Sequence, residues 1–425
     1  MKVAIAGGGI GGLTLALALH NAGIKDIDIY ESAPELKELG VGINVLPHAV
    51  RELDELGLLD ELAAIGIPTA EIMYYTKTGQ RIWGEPRGFK AGYRWPQFSV
   101  HRGELLGLLY RAVLKCLGPA RIHTGHHLVH AGQESACAWG EFANRNGDAA
   151  IPRVEADLLV ACDGIHSVIR QVLYPQEGPP KWNGITMWRG VTRAKPFLSG
   201  RTMIMAGTTK RRVVVYPISK KYEDRGEALI NWVAELKNAP DQPMPQQNWQ
   251  FVARLENVLP HVASFQFDFL DVPALLRSAE AIYQYPMVDR DPVATWNKGR
   301  ITLLGDAAHP MYPFGSNGAS QAILDARVLA RELVLQPTVE DALAAYDAQR
   351  RPATAKVVEA NRKGGPEVCM EIVEERSSGR FSSVDEIISQ AELQEISKKY
   401  KLAAGFDVKT LNSRPSLSVL RPKST

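Results

Sequence analysis

The chain has few cysteines, little net charge and no long apolar run, and each shortage excludes a class of protein. Its 425 residues include four cysteines, which form no CxxC pair and no spacing typical of metal ligands. Scattered cysteines are typical of a reducing compartment, so we expect a cytoplasmic protein. Lysine plus arginine number 49 and aspartate plus glutamate 47, a balance that favours no nucleic-acid partner. No uncharged stretch is long enough to span a membrane, so we expect no stable membrane insertion.

A cluster of histidines is the pattern closest to a metal site. Its members lie on predicted strand and turn residues, with no supporting carboxylate or cysteine nearby in the sequence: His123, His126, His127 and His130. Transition metals need a complete ligand set in a fixed geometry. We therefore predict no metal site.

The N-terminal segment has the pattern of a dinucleotide-binding βαβ unit. An apolar strand over residues 2–6 leads into Gly7-x-Gly9-x-x-Gly12 and a helix of small residues, and Glu31 ends the next strand. In such a unit the glycines permit a tight turn, close approach of a pyrophosphate and close packing of helix on strand. A terminal acid accepts ribose hydroxyls and disfavours a 2′-phosphate, which favours FAD or NAD. The alternative is a glycine-rich turn without a ligand.

Two later segments also join an apolar strand to a turn and a helix start. Asp163 begins the turn after the strand at residues 158–161. Gly305 and Asp306 follow the strand at residues 301–304, and a glycine-rich loop then runs to Gly318. An aspartate at a strand end can bind a polyol, and backbone N–H groups at a helix start suit a phosphate or an electron-rich ring. Ordinary turns and helix caps are the alternative for both segments.

The order of elements predicts an α/β chain with a second sheet inserted into it. Residues 1–70, 98–182 and 284–363 have the βαβ rhythm of one discontinuous, Rossmann-like domain with a parallel sheet. Residues 71–97 and 183–283 lack that rhythm and predict a mostly antiparallel sheet that forms a substrate domain. Residues 364–425 predict a helical C-terminal extension that ends in a Ser/Pro/Lys tail.

The glycine segments, with Arg102 opening a helix between the first two, resemble those of the class A flavoprotein monooxygenases. These are single-component aromatic hydroxylases related to para-hydroxybenzoate hydroxylase. The resemblance covers roughly residues 1–355. Within the group, Met187-Trp-Arg-Gly190 and the segment 311–325 are most similar to the phenazine hydroxylase branch. The resemblance implies that the Rossmann-like domain binds FAD and that the inserted sheet faces the substrate.

The resemblance also implies roles for single residues. The ADP half of FAD would contact the first motif, Glu31 and Arg102, and the ribityl chain would contact Asp306. The 313–319 loop would lie against the isoalloxazine, where its N–H groups stabilise negative charge on the reduced ring. The catalytic residues implied in this loop are Pro313, Gly315 and Asn317. The cofactor-binding residues implied are Gly7, Gly9, Gly12, Glu31, Gly42, Ile43, Arg102, Asp163, Gly305, Asp306, Gly318 and Ala319.

The chemistry implied by the resemblance is hydroxylation of an aromatic or N-heteroaromatic small molecule. NADH or NADPH would visit transiently and reduce the flavin, and O₂ would then form a C4a-hydroperoxyflavin that transfers one oxygen atom. The sequence does not decide between NADH and NADPH. The resemblance implies that the segment 163–170 serves both FAD and the visiting nicotinamide, and the sequence contains no second GxGxxG. Asp163 is the first residue of this segment. The protein would be a monomer or a homodimer.

The substrate is expected between the inserted sheet and the flavin. Candidate wall residues are Trp188, Met203, Met205, Tyr216 and Tyr312. Core packing of a strand is the alternative for each of them. For the whole chain, the alternatives are an FAD-dependent oxidase, reductase or halogenase on the same fold, and a flavin-binding protein without turnover. The halogenase signature WxWxIP is missing from the sequence.

Overall fold

The structure is a computed structural model that describes residues 1–36, 40–134, 136–145, 150–248 and 251–420. The last five residues of the predicted C-terminal tail therefore lie outside the described residues. Where the structure describes the chain, no helix is both long and apolar enough to cross a membrane.

The helices and strands alternate along most of the chain. The first part contains β1 (Lys2–Ala6), α1 (Ile10–Asn21), β2 (Asp26–Glu31), β3 (Gly42–Val45), α2 (Pro47–Glu55), α3 (Leu59–Ile65), β4 (Ile67–Pro68), β5 (Glu71–Tyr75), β6 (Arg81–Pro86), β7 (Phe98–His101), α4 (Arg102–Leu117) and β8 (Ile122–Thr124). The middle part contains β9 (His126–Glu134), β10 (Cys137–Asn144), β11 (Val154–Ala156), β12 (Leu158–Ala161), α5 (Val168–Leu173), β13 (Lys181–Ala194), β14 (Thr202–Gly207), β15 (Arg211–Pro217), α6 (Lys220–Glu223), β16 (Ala228–Lys237), α7 (Leu259–Val262) and α8 (Val272–Arg277). The last part contains β17 (Tyr283–Asp289), β18 (Asn297–Lys298), β19 (Ile301–Leu303), α9 (Gly318–Leu335), α10 (Val339–Arg362), α11 (Val368–Ser377), α12 (Gln390–Ala403) and α13 (Val408–Ser413).

A six-stranded sheet forms the centre of the Rossmann-like part, in the order β18-β19-β12-β1-β2-β8. All its neighbours are parallel except β18 and β19. The central strands β1 and β12 are almost entirely apolar because helices cover the sheet, and α1 packs against both α9 and α4. The predicted α/β fold with a parallel sheet is confirmed.

The register of this sheet brings the carboxyl ends of three strands together. Ala6 at the end of β1 is paired with Ala161 of β12, and Ala161 is paired with Leu303 of β19. Each strand is followed directly by one of the glycine-bearing segments. These segments, which lie far apart in the sequence, therefore meet at one edge of the sheet.

A seven-stranded sheet forms the second layer, in the order β17-β13-β16-β15-β14-β5-β6. Its strands are antiparallel, apart from the parallel pair β14 and β5. The mostly antiparallel inserted sheet is thus confirmed, whereas its domain boundaries stay a prediction. Strands β5 and β6 enter the sheet from residues 71–86, far before the rest of it in the chain.

The C-terminal extension packs back onto the rest of the molecule. Helix α12 contacts α10, α11 and the short helix Gly365–Glu367. Tyr400 and Phe406 of the extension share a buried cluster with Leu46 and Tyr93 from the first hundred residues. Ser389 caps α12 by accepting a hydrogen bond from the Glu392 N–H, which fits the helical extension predicted for this part of the chain.

Candidate active site

The first glycine motif leaves an open place at the start of α1. A Cβ on Gly7, whose φ is 112°, would lie 2.2 Å from the carbonyl oxygen of Cys162. A Cβ on Gly12 would lie 2.0 Å from the carbonyl oxygen of Gly7. Both positions therefore need glycine for close packing of strand and helix. Gly9, by contrast, has no heavy atom within 4 Å of a built Cβ, and this open space beside the helix N-terminus fits a pyrophosphate.

The carboxylate of Glu31 is held at the end of β2. Its Oε2 accepts the Gly8 N–H at 2.7 Å, and its Oε1 accepts the Ala33 N–H at 2.7 Å. Oε1 also accepts from Ser32 Oγ at 3.1 Å, so the free lone-pair direction is on Oε2. The side chain is thus oriented next to the open place at Gly9, where an adenosine ribose would need an acceptor.

Asp306 and Arg102 are oppositely charged, and each charge acts on the pKa of the other residue. Both side chains are exposed to solvent. The protein atoms around them nevertheless shift their pKa values. Burial raises the pKa of Asp306, against the positive charges of His309 and Arg102. Burial and the neighbouring Arg189 lower the pKa of Arg102, against the charge of Asp306. The pair therefore offers one hydrogen-bond acceptor and one cation that attract each other, as the binding of a polyol phosphate requires.

A buried ion cluster supports the third glycine segment from behind. Asp325 on α9 accepts from His309 Nε2 at 2.5 Å, Arg350 Nε at 2.7 Å and the Gly305 N–H at 3.2 Å. Burial alone would raise the pKa of Asp325, but His309 and Arg350 hold this pKa below its ordinary value. This cluster was not predicted from the sequence. The signal that could have indicated it is a carboxylate, Asp325, within the buried face of α9.

The second segment is tied to the third. Asp163 Oδ2 accepts the Val168 N–H at 2.8 Å, and Ser167 caps α5 by accepting the Arg170 N–H at 3.0 Å. Arg170 in turn donates to the carbonyl of Ala308 at 2.6 Å. Burial raises the pKa of Asp163 to about 6. Its Oδ1 is buried without a hydrogen-bond partner among the described residues, so it can accept from a ligand.

The strand β3, which carries Gly42 and Ile43, is fixed to the seven-stranded sheet. The Gly42 N–H donates to Asn231 Oδ1 at 2.6 Å, and its carbonyl accepts from Arg189 Nη2 at 2.6 Å. A Cβ on Gly42 would lie 2.7 Å from that of Asn231. Glycine is therefore required for this approach. Neither Asn231 nor Arg189 was identified from the sequence, because both contacts span more than a hundred residues.

The 313–319 loop lies opposite β3 and is joined to it. Asn44 Nδ2 donates to Ser316 Oγ at 3.3 Å. Gly315 adopts a φ of 66°, and its N–H donates to Glu367 Oε1 at 3.0 Å. The Gly315 N–H is therefore already bonded, and it is the first turn of α9 that offers unused N–H groups. Asn317 does not cap that helix with its side chain, and among the described residues the N–H groups of Gly318 and Ala319 have no side-chain acceptor.

Tyr400 of the C-terminal extension holds this loop. Its hydroxyl accepts from Asn317 Nδ2 at 3.0 Å and lies 3.0 Å from both the Phe314 carbonyl and Asn361 Oδ1. A Cβ on Gly315 would lie 2.1 Å from the same hydroxyl. The extension therefore contacts the loop directly, which the sequence analysis did not predict.

One apolar face of the seven-stranded sheet looks towards the loop. Met203, Met205, Tyr216 and Tyr312 all belong to the buried cluster on this face. Met203 and Met205 also line a narrow cavity of about 20 Å³ beside Gly315. An aromatic ring can enter this cavity only if wall side chains move, and methionine is the residue best able to do so. That these residues contact a substrate stays a prediction.

Trp188 does not lie on this face. Successive side chains of a strand point to opposite sides of a sheet. Met187 packs with Met203 and Met205, so its neighbour Trp188 points to the other side, in a separate buried cluster. There its indole N–H donates to Gln284 Oε1 at 2.9 Å. The prediction that Trp188 lines the substrate cavity is wrong, because the strand register turns it away.

The histidine cluster has a carboxylate close by that the sequence did not indicate. His123 Nε2 lies 3.1 Å from Asp28 Oδ1, and its ring stacks on Tyr30. Among the residues that the structure describes, no group of three or more histidine, cysteine or acidic side chains is arranged to hold a metal ion.

Known proteins share this arrangement over most of the chain. A family model described as an FAD binding domain matches residues 1–361. A phenazine 1,6-dicarboxylic acid hydroxylase of Lysobacter antibioticus is 45% identical over 361 residues, which cover 85% of this chain and 89% of that protein. A 3-hydroxybenzoate 6-hydroxylase of Aquipseudomonas alcaligenes is 29% identical over 365 residues, covering 84% and 86%.

A solved structure with a similar fold contains FAD. It is HpxO of Klebsiella pneumoniae, crystallised with FAD and uric acid, with a TM-score of 0.73 and 22% identity. The alignment covers 97% of both chains. It therefore includes the C-terminal region that lies beyond the family match.

Proposed function

Because this chain belongs to the FAD-binding-domain family of aromatic monooxygenases, we propose that it hydroxylates a fused or nitrogen-containing aromatic ring beside the 313–319 loop. The chain is an FAD-dependent monooxygenase, and its relatives use NAD(P)H as reductant. The ring class is suggested by the relative that is 45% identical, whose name gives a phenazine as its substrate.

One observation carries the proposal. The three glycine segments meet at one edge of the parallel sheet, and the third of them contains Ser316. Asn44 of β3 donates to Ser316 Oγ at 3.3 Å and lies 3.9 Å from Met203 Sδ on the apolar face of the seven-stranded sheet, so β3 joins the two. A dinucleotide site and an apolar cavity therefore adjoin each other, as a reaction between a bound flavin and an aromatic ring requires.

The residues present fit FAD. The open space at Gly9 would receive the pyrophosphate, Glu31 would accept the ribose hydroxyls, and Asp306 with Arg102 would hold the ribityl chain and its phosphate. When bound, FAD supplies the hydride acceptor and the means of activating O₂. The N–H groups of the first turn of α9 lie at the positive end of an 18-residue helix, where they stabilise negative charge.

The walls of the cavity limit the access of water to the reacting centre. Helix α12 lines the cavity with Ser397, Tyr400 and Lys401, and Tyr400 lies against the loop. The apolar face that carries Met203 and Met205 closes a second side. Desolvation strengthens every electrostatic contact inside such a site.

Oxygen incorporation tests the proposal. The FAD-loaded protein should oxidise NADH or NADPH faster when an N-heteroaromatic compound is added, and under ¹⁸O₂ the product should gain one labelled atom. Hydrogen peroxide in full yield with an unchanged ring would instead indicate an oxidase. Flavin that stays oxidised with both nicotinamides would indicate a binding protein without turnover. The cytoplasmic location and the monomer or homodimer state stay predictions from the sequence.

A further inference from the structure

The cavity beside Gly315 has one apolar side and one charged end. Ile72, Met203 and Met205 of the seven-stranded sheet form the apolar side. Arg87 and Lys401 line the charged end, and Lys401 belongs to α12 of the C-terminal extension. A ring with an ionised substituent has the matching distribution of polarity.

Two cations at the charged end share one carboxylate. Glu85 Oε2 lies 3.2 Å from Arg87 Nη2, while Glu85 Oε1 accepts from Lys401 Nζ and from Ser397 Oγ. Within the described residues, neither cation makes an ion pair with another acid. Burial and the charge of Arg87 together lower the pKa of Lys401. One positive charge at this end is therefore incompletely neutralised, and buried charges are normally paired.

Glu367 is the acid that lines the same cavity, and it faces other partners. Its Oε1 accepts the Gly315 N–H, and Arg212 is the nearest cation that offsets its charge. Burial raises the pKa of Glu367, which favours the neutral acid. Arg212 also forms a buried ion pair with Glu235. The hydrogen bond and the strongest cationic interaction of Glu367 thus involve Gly315 and Arg212 rather than Arg87 or Lys401.

The hydroxyl of Tyr74 is an independent indication of a ligand. The Tyr74 side chain is fully buried and lines the cavity. Its hydroxyl has no hydrogen-bond partner among the residues that the structure describes. A buried donor without a partner costs stability, and native proteins rarely keep one unless a ligand completes it.

We propose that the charged end of this cavity binds a carboxylate of the aromatic substrate, with Arg87 and Lys401 as its cations and Tyr74 as a hydroxyl donor. The inference rests on the proposed function and adds the substrate class, an aryl carboxylic acid. Since Lys401 lies beyond the residues that the family model matches, the extension supplies part of the substrate recognition.

Binding measurements test this site without relying on turnover. Isothermal titration calorimetry on the FAD-loaded protein would compare phenazine-1,6-dicarboxylate, 3-hydroxybenzoate and quinoline carboxylates with the corresponding neutral amides. The wild type should prefer at least one acid over its amide. Arg87→Gln and Lys401→Met should each raise the Kd of that acid by about tenfold or more, and leave the Kd of the amide unchanged.

Matched variants separate binding from folding. Lys398→Met removes an exposed lysine from the same helix and should leave the Kd of the acid unchanged. Lys401→Arg keeps the charge and should restore most of the affinity. Equal Kd values for every acid and its amide, or unchanged acid binding in both Arg87→Gln and Lys401→Met, would overturn the carboxylate site. Failure of every aromatic compound to stimulate NAD(P)H oxidation would instead reject the proposed function.

Discussion

The hydroxyl of Tyr400 is the contact through which the C-terminal extension holds the 313–319 loop, so Tyr400→Phe is the sharpest test of that contact. The hydroxyl accepts from Asn317 and has two acceptors, the Phe314 carbonyl and Asn361 Oδ1, each 3.0 Å away. One proton serves one acceptor at a time, so the substitution removes about two hydrogen bonds.

The expected loss follows from the burial of these groups. A hydrogen bond contributes about 0.5–1.5 kcal/mol, and a buried donor left without a partner raises the cost. Tyr400 is 6% exposed, and Asn317 and Asn361 are fully buried. We therefore expect Tyr400→Phe to lower the free energy of unfolding by about 2–3 kcal/mol. FAD should also dissociate faster, because the loop loses its anchor.

Equilibrium urea unfolding at matched FAD saturation measures the first effect, and flavin fluorescence after dilution measures the second. FAD saturation must be matched because a bound ligand itself stabilises the folded state. Tyr222→Phe is the control, since the Tyr222 hydroxyl makes no hydrogen bond with any described residue and should shift stability by less than about 0.5 kcal/mol. If Tyr400→Phe behaved like this control in both measurements, the extension would not hold the loop.

Three further changes test the predicted cofactor-binding residues. Asp306→Ala should give soluble protein without the yellow flavin absorbance, and stoichiometric flavin in that variant would contradict its role in binding. Gly12→Ala places a methyl group 2.0 Å from the Gly7 carbonyl, so FAD titration should show no binding and the urea midpoint should fall. Burial raises the pKa of Asp163 to about 6, so the folded chain keeps a proton that the unfolded chain releases. Wild-type stability should therefore fall relative to Asp163→Asn by up to about 3 kcal/mol as pH rises from about 4 to 6, and a flat difference across urea titrations would refute this.

The three glycine segments could be predicted from the sequence because the residue patterns that specify them are local. The spacing Gly7-x-Gly9-x-x-Gly12 encodes a turn that only glycine permits, and a neighbouring apolar run encodes the strand before it. Parallel pairing alone then brings the carboxyl ends of separate strands to one edge of the sheet. The fold class and the meeting of the three glycine segments followed from these rules.

The substrate side could not be predicted to the same depth. Whether Met187 or Trp188 faces the cavity depends on strand register, and a shift of one residue exchanges the two faces. The contact between Gly42 and Asn231 spans 189 residues, and that between Glu85 and Lys401 spans 316. No periodicity or spacing in either segment indicates such a partner.

The two roles inferred for the C-terminal extension depend on one turn of α12. Tyr400 contacts the 313–319 loop and its neighbour Lys401 lines the charged end of the cavity, so both move with the same helix. A carboxylate that pairs with Lys401 would also fix Tyr400 against Asn317 and Phe314. Substrate binding would thereby order the loop that we expect to lie against the flavin. The extension would therefore couple substrate binding at Lys401 to the loop that Tyr400 contacts, and so link recognition of the substrate to the environment of the cofactor.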